Sequence, residues 1–259
     1  MTPAEPPVSV RNQRLLFYGG LFALWALLAH FRAFPPALFP GPRPVLLRLH
    51  EGLSAPHRFE LALWVSLRRI VIGYTLSVIV GLFLGLATAR VRWMENTVGS
   101  LVAGLKTLPS ICWLPAALLW FGVSEAAILF VVVMGAALAI SIGTHDAVRN
   151  LPPIYIRAAR TMGVGSFRLY REVIFPAALP GIISAMKQGW TFAWRSLMSG
   201  ELLFENPGLG HLLQVARAQN DMSLVAAVMI IIMTLGWSVD RFVFSTLEER
   251  VRTRRGIKA

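Results

Sequence analysis

Residues 150–180 read NLPPIYIRAARTMGVGSFRLYREVIFPAALP, a polar stretch inside a chain that otherwise consists largely of apolar runs. The stretch is too polar to cross a bilayer. Pro152 and Pro153 cannot continue a preceding helix, but proline suits the first turn of a new one, which predicts a short helix from Ile154 to Met162. Small side chains in the middle of this helix leave room for a partner to approach.

Two glycines follow the first helix and separate it from a second one. Gly163 and Gly165 favour the break, Ser166 is a candidate cap for the second helix, and Pro176 is expected to end it. The stretch is strongly positive, with four arginines and one acidic residue: Arg157, Arg160, Arg168, Arg171 and Glu172. By the positive-inside rule it is expected to face the cytoplasm, where a helix–glycine–helix arrangement between membrane spans would form a docking surface.

This arrangement resembles a known docking element. The pair Ala158-Ala159, followed by Gly163 and Pro176, is similar to the EAA loop of ABC-importer permeases, whose coupling helices sit in a groove of the ATPase subunit. The chain from about 66 to 250 looks most like the nitrate, sulfonate, taurine and bicarbonate branch of that family. The resemblance implies that this chain is a permease subunit and not an enzyme, with ATPase activity in its partners.

The resemblance also implies which residues couple the chain to an ATPase subunit. They are Arg157, Ala158, Ala159, Gly163, Gly165, Phe167, Tyr170 and Pro176. Arg157 stands where the family usually has glutamate, which changes the charge expected at the ATPase contact.

The composition is that of a membrane protein. Of 259 residues, 56% are hydrophobic and 15% are charged, which is too apolar for a soluble domain of this length. The formal net charge of +12 comes from basic residues that mostly flank apolar runs, so contact with lipid headgroups explains it better than nucleic acid does. Cys112 is the single cysteine, which excludes an intramolecular disulfide and leaves a packing role for this residue.

The apolar runs predict an all-α integral membrane fold with six transmembrane helices and both termini in the cytoplasm of a bacterium, in its inner membrane. The expected spans are 15–31, 66–89, 98–121, 125–143, 180–200 and 223–246. Two spans carry small residues at four-residue spacing, which favours close helix packing in lipid. These residues are Gly73, Ser77, Gly81 and Gly85 in the second span and Gly135, Ala139 and Gly143 in the fourth. Pro109 and Pro115 are expected to break the third span.

The spans divide the chain into a cytoplasmic tail, 1–14, a first span with an external loop, 15–63, and a permease core, 64–250. The core contains the coupling loop 150–178, and a basic tail, 251–259, follows it. The external loop runs against the positive-inside rule because it carries four arginines: Arg32, Arg43, Arg48 and Arg58. We interpret these arginines as a charge that raises the local concentration of anions outside the membrane.

Polar residues follow one face of the fifth span. They are spaced by four, three, four and four positions: Ser184, Gln188, Thr191, Arg195 and Ser199. On an α-helix they form one narrow face, while Ile182, Ala185, Gly189, Phe192 and Ala193 lie on the opposite side, facing lipid or another helix. Because a polar face inside a membrane normally borders a bundle interior or a wet cavity, we predict that it lines a substrate pathway. Snorkelling of Arg195 to the headgroups is the alternative.

The sequence supports several further interpretations in the core. Trp113 and Trp194 are predicted to line the same pathway. Lys187 fits a pathway role or a structural one. Glu201 fits a gate, an anchor for the following loop, or a solvated loop carboxylate. Since no set of residues suits nucleophilic, acid–base or metal chemistry in one plausible cavity, we predict no catalytic and no metal site.

These observations favour the membrane subunit of an ATP-driven importer that moves a small anion of the sulfonate, nitrate, taurine or bicarbonate type by alternating access. The implied partners are cytoplasmic ATP-binding subunits, an extracytoplasmic substrate-binding protein and a second permease copy, and ATP and magnesium would be bound by the partners alone. Two alternatives stay open. One is an ABC permease for an uncharged or cationic nutrient such as a vitamin precursor, and the other is a membrane enzyme or sensor with a protein-docking loop.

Overall fold

The computed structural model describes residues 8–31, 34–35, 37–54, 59–204 and 206–254, and every regular element in these ranges is helical. The helices are α1 Val8–His30, α2 Pro42–Ser54, α3 Phe59–Arg90, α4 Arg92–Lys106, α5 Ser110–Phe121, α6 Glu125–Arg149, α7 Pro153–Thr161, α8 Ser166–Leu203, α9 Leu209–Ala218, α10 Met222–Val239 and α11 Ser245–Arg254. A π turn, Asp240–Phe244, joins the last two. The chain forms two compact units, Met1–Glu60 with Leu213–Ile231, and Leu61–Leu212 with Ile232–Ala259.

The first unit holds α1 and α2. The Trp25 indole donates a hydrogen bond to the Pro40 carbonyl (3.0 Å). The helix α2 buries Val45 and Gly52. Arg48 on α2 pairs with Glu51 (2.9 Å) and Asp221 (2.8 Å). The hydrogen bond to Glu51 and the charge of Asp221 raise the pKa of Arg48 above its ordinary value.

Four continuous helical stretches of the described residues are long and apolar enough to cross a membrane: Phe59–Arg90, Glu125–Arg149, Ser166–Leu203 and Met222–Val251. The last of these comprises α10, the π turn and most of α11. The pair α4 and α5 adds a fifth if it is counted as one broken span. The first predicted span, 15–31, is helical within α1 but is not among them. The described residues therefore support four or five spans by length and composition, where the sequence predicted six.

The helix α6 is the centre of the second unit because two neighbours pack closely against it. Gly73 of α3 lies against Val132, Gly81 against Ile140 and Gly85 against Thr144. On α8, Gly181 lies against Ala147 of α6, Ala185 against Gly143 and Gly189 against Ile140. The predicted rows of small residues are thus confirmed as contact faces, since a side chain in place of the glycines would clash with the facing helix.

The third predicted span is two helices and not one kinked helix, since α4 and α5 meet at an angle of 104°. Pro109 lies at the break and has no N–H to donate, and it also disfavours helical geometry at Leu108 before it. Pro115 does not contribute to the break, because it sits in the first turn of the α-helical part of α5. The break is what opens the cavity described below.

The polar loop, residues 150–178, confirms one predicted helix and corrects the second. The first appears as α7 and ends before Gly163, whose φ of +75° suits glycine. Ser166 is the first helical residue and not a cap, since Gly165 takes the cap position. Pro176 does not end the helix, because α8 continues to Leu203. A π turn, Leu169–Ile174, directly precedes the α-helical segment that contains Pro176 in its first turn, where the missing N–H costs little.

Candidate functional site

The helix α8 has one closed face and one open face. On the closed face, four small or apolar side chains are buried against the rest of the second unit: Ile182, Ala185, Gly189 and Ala193. Gly189 and Ala185 contact α6 directly, at Ile140 and Gly143. The closed face therefore meets another helix, which was one of the two expected environments.

The predicted polar residues lie on the open face, and we call them the polar stripe: Ser184, Gln188, Thr191, Arg195 and Ser199. The first four are exposed and Ser199 is half-buried. The hydroxyls of Thr191 and Ser199 donate back to their own helix, to the carbonyls of Lys187 (3.4 Å) and Arg195 (3.0 Å). These two bonds stay within α8, whereas Ser184 at the other end of the stripe donates to Glu248 of α11.

Arg195 also borders a cavity of about 310 Å³ between α8, α6 and the break of the bent pair. Its polar lining consists of Lys106, Thr107, Ser110 and Arg195. Among the residues that the structure describes, neither Lys106 nor Arg195 pairs with a carboxylate. A second cation and two hydroxyls therefore join Arg195, and the sequence analysis identified none of the three. The sequence feature that could have indicated this cavity is Lys106 itself, a lysine three positions before Pro109, at which the apolar span was expected to break.

The two predicted pathway tryptophans lie away from this cavity. Trp113 is half-buried and packs edge-on against Phe130 (6.2 Å between ring centres). Trp194 stacks on Trp190 (5.9 Å) and lies against Gly236 of α10. The structure thus places both rings in helix packing and brings neither next to the cations.

Lys187 belongs to an ionic group at the other end of the polar stripe. Its ammonium lies 3.4 Å from Glu248 and 3.7 Å from Asp240. Ser184 donates to the same Glu248 carboxylate (2.8 Å). These contacts tie α8 to the C-terminal helices, so they favour the structural interpretation of Lys187 over the pathway one.

Glu201, near the end of α8, is completely buried and holds the following loop. Its carboxylate accepts hydrogen bonds from Ser66 Oγ (2.7 Å), Gly210 N (3.0 Å) and Arg69 (3.1 Å). Gly208 and Gly210 pack so closely on this carboxylate that a larger residue at either position would clash with Glu201. Of the three roles considered for Glu201, the geometry matches the loop anchor.

Ser66 and Arg69 complete this anchor, and we call the three residues with Glu125 the ionic cluster. The Arg69 guanidinium, also almost completely buried, donates to the Pro207 carbonyl (2.7 Å) and to Glu125 (3.2 Å). Ser66 Oγ accepts from Leu209 N (2.9 Å). The sequence analysis missed Ser66 and Arg69, although a charged residue inside an apolar span usually marks a specific partner.

The polar loop presents a basic surface over a small apolar core. Ala159 lies in that core with Leu169 and Ile174, while Ala158 is exposed. Of the two alanines that were predicted to leave room for a partner, only Ala158 is therefore on the surface. Arg157, Gly163, Gly165 and Phe167 are exposed as well, and Pro176 is half-buried.

Tyr170 of the same loop is half-buried and is held by a cation–π contact. The Arg90 guanidinium lies 4.8 Å from the centre of the Tyr170 ring. Since Arg90 is the last residue of α3, this contact fixes the loop to the end of a membrane helix. The loop is therefore attached to α3 as well as to α8, of which Tyr170 is a part.

Comparison with known proteins assigns this geometry to a transport family. Residues 77–252 match the model of the binding-protein-dependent transport system inner membrane component. The chain is 30% identical over 222 residues to a putative ABC transporter permease protein of Methanocaldococcus jannaschii, covering 84% of this chain and 83% of the relative. It is also 30% identical over 212 residues to the putative aliphatic sulfonates transport permease protein SsuC of Escherichia coli, covering 81% and 80%. Relatives named for taurine transport and nitrate import are each 25% identical.

A solved structure shows the same fold. The chain is similar to one chain of the MetNI methionine ABC transporter in an inward-facing conformation, with a TM-score of 0.64, 20% identity and coverage of 80% of this chain and 98% of that one. The predicted all-α membrane fold is thereby confirmed. The relatives named for sulfonate, taurine and nitrate transport confirm the suspected branch of the permease family.

Proposed function

Because this chain belongs to the family of binding-protein-dependent transport system inner membrane components, we propose that it is the importer subunit through which a small anion crosses the membrane. The observation that supports an anion is the open face of α8. It combines an exposed arginine, which has no ion pair among the described residues, with a row of neutral polar groups, while its opposite face is packed against α6. An arginine that faces lipid costs up to about 3 kcal/mol on insertion scales, the full value applying at the centre of a span, which favours a wet environment for this face.

The anion assignment has a chemical basis in the guanidinium of Arg195. A planar fork of N–H donors suits an oxyanion, and the relatives are named for the transport of sulfonates, taurine and nitrate, which all carry an oxyanion group. A residue on a pathway must also release what it holds, so moderate affinity is expected. The open polar stripe offers hydroxyl and amide groups along which such an anion would move.

We further propose how the chain is assembled and driven. The exposed basic surface of the polar loop would dock on a cytoplasmic ATP-binding subunit, and the loop would transmit the motion that alternates access. A second permease copy would face the open side of α8, and an extracytoplasmic binding protein would deliver the anion. In this assembly both termini are cytoplasmic, and ATP and magnesium are bound by the partner subunits.

Reconstitution tests this proposal. The chain is co-expressed with its ATPase subunits, placed in proteoliposomes, and supplied with its binding protein and ATP. We expect uptake of a labelled sulfonate, taurine, nitrate or bicarbonate, together with stimulated ATP hydrolysis. Uptake of only an uncharged or cationic nutrient would contradict the anion assignment. Failure to copurify with any ATPase subunit would instead favour a membrane enzyme or sensor.

A further inference from the structure

We propose that the cavity at the break between α4 and α5 is an oxyanion-binding site for an alkyl sulfonate, with Lys106 and Arg195 on the head group and an apolar wall on the tail. This inference rests on the proposed anion import and narrows it to one chemical class. It adds Lys106, Thr107 and Ser110 to the groups that would contact the substrate.

The head-group end of the cavity is assigned from its unpaired charge. Two cations line a space of about 310 Å³, and no carboxylate of the described residues neutralises either one. Two other basic side chains of the same unit do have such partners, Arg69 with Glu201 and Lys187 with Glu248. A guanidinium offers two parallel N–H groups and an ammonium offers a third donor, which matches the three oxygens of a sulfonate. The hydroxyls of Thr107 and Ser110 add further donors.

The tail is assigned from the rest of the lining. Six apolar residues complete the cavity wall: Leu108, Pro109, Met134, Leu138, Ala139 and Phe192. Nitrate or bicarbonate would satisfy the cations but leave this wall against water. A chain of a few carbons would cover it, which is favourable in proportion to the apolar area removed from water. The volume lies at the lower end of the range for small-molecule sites, about 300–1,000 Å³.

A close contact between α6 and α8 borders the far side of the cavity. Gly135 of α6 lines it, and a side chain at that position would collide with Ser196 Oγ and come close to Ser110. Ser196 is completely buried, and its hydroxyl has no hydrogen-bond partner among the described residues. Close packing of α6 on α8 beside the cavity therefore requires glycine at position 135. The Ser196 hydroxyl, which has no partner among the described residues, lies next to this glycine.

Thiol labelling tests the site without relying on transport. Cys112 is replaced first, and Ser110→Cys is introduced into the assembled transporter in nanodiscs, with Thr107→Cys as a parallel variant. Each is treated with sulfonatoethyl methanethiosulfonate, an anion with a short tail, and with the trimethylammonium-ethyl analogue. Each rate is divided by the reagent's rate with free mercaptoethanol. A nearby cation raises thiolate content equally for both reagents, so the ratio of the two corrected rates reports attraction of the anion.

The expected ratio is about tenfold in favour of the anionic reagent, because a charge-assisted hydrogen bond is worth about one to two orders of magnitude. Lys106→Met or Arg195→Met should remove most of it, and butanesulfonate should slow labelling at concentrations at which nitrate does not. Arg92→Met is the matched control, since Arg92 is exposed on α4 and does not line the cavity. A ratio near one in both cysteine variants, or one unchanged by both methionine substitutions, would overturn the site. Equal protection by nitrate would overturn the tail assignment.

Uptake by the cysteine-free transporter separates this inference from the proposed function. Anion uptake without a labelling preference leaves the importer assignment standing and removes the cavity from it. A strong labelling preference in a transporter that takes up only uncharged or cationic nutrients confirms an anion site and removes the proposed anion import.

Discussion

Two charged residues near the same end of α8 have opposite surroundings. Glu201 has no exposed surface and accepts hydrogen bonds from a serine, an arginine and a backbone N–H. Arg195, less than two turns earlier, is exposed and has no ionic partner among the described residues. One helix thus carries a charge that the fold has enclosed and a charge that it has left free.

The difference indicates which charge the fold uses and which it leaves for a ligand. Burying a carboxylate costs several kcal/mol unless partners replace its water, and the ionic cluster supplies those partners. Glu201 therefore contributes to the position of the loop at 207–210. Arg195 makes no ion pair among the described residues, and its place on the polar face is what the proposed anion passage would explain.

The largest effect is expected when the enclosed charge is removed. Glu201→Gln keeps the shape but leaves the buried Arg69 without its closest full charge, which should destabilise the protein by about 3–5 kcal/mol. Thermal unfolding in detergent and the yield of folded protein measure this. Glu125→Gln is the matched control, because Glu125 is half-exposed and its loss should cost about 1 kcal/mol or less. Equal stability of the two variants would show that Glu201 is not the structural anchor of the loop.

Removing the charge of Arg195 should leave folding intact and reduce transport, whereas removing the charge of Glu201 should impair folding. Arg195→Met is expected to lower uptake by about 10- to 100-fold, the value of a charge-assisted hydrogen bond, while assembly and basal ATP hydrolysis stay unchanged. Arg195→Lys should keep part of the uptake with a changed preference among anions, because an ammonium lacks the planar fork. Uptake by proteoliposomes measures both, with Arg241→Met, also exposed, as control. Normal uptake by the methionine variant would make Arg195 an interfacial anchor.

The polar loop is a second place where exposed arginines lack acidic partners among the described residues, and its backbone can be tested directly. Gly163→Pro should reduce substrate-stimulated ATP hydrolysis by about tenfold or more, because proline cannot adopt the φ of +75° and removes the N–H that bonds Arg160 O (3.0 Å). Gly163→Asn should retain most of the stimulation, since asparagine tolerates this region and a Cβ there meets no atom within 4 Å. Equal stimulation in both variants would remove the loop from the coupling path.

Local sequence patterns predicted the features that depend on neighbouring residues. The polar stripe followed from steps of three and four positions, the helix packing from small residues at four-residue spacing, and α7 from its prolines and glycine. The direction of Ala159 also follows from such a pattern, although the sequence analysis did not use it, because the apolar residues of α7 share one half of the helix and Arg157 and Arg160 lie on the other.

Features that depend on distant residues were not predictable from such patterns. Ser66 and Glu201 are 135 positions apart, and their contact arises only when α3 and α8 pack on α6. The cavity likewise depends on the 104° angle at Pro109, which a proline permits but does not set. Lys106 therefore appeared only as a residue inside the third predicted span, 98–121, whereas the bend places it on the same cavity as Arg195.

The smallest effect concerns Arg43 and Arg48 of α2, in the predicted external loop. One of them has ionic partners and the other has none among the described residues, which is the same contrast as between Glu201 and Arg195. Arg48 is neutralised by Glu51 and Asp221, while Arg43 is exposed without an ion pair among the described residues. Arg32 and Arg58 lie outside those residues. If this loop attracts anions, Arg43→Gln should slow uptake about twofold at 0.01 M salt and hardly at 0.5 M, since the screening length falls from about 30 Å to below 10 Å. Arg48→Gln is the matched control and should change uptake less at low salt, because its partners already cancel its field. An equal loss for Arg43→Gln at both salt concentrations would mean that Arg43 acts through a contact and not through its field.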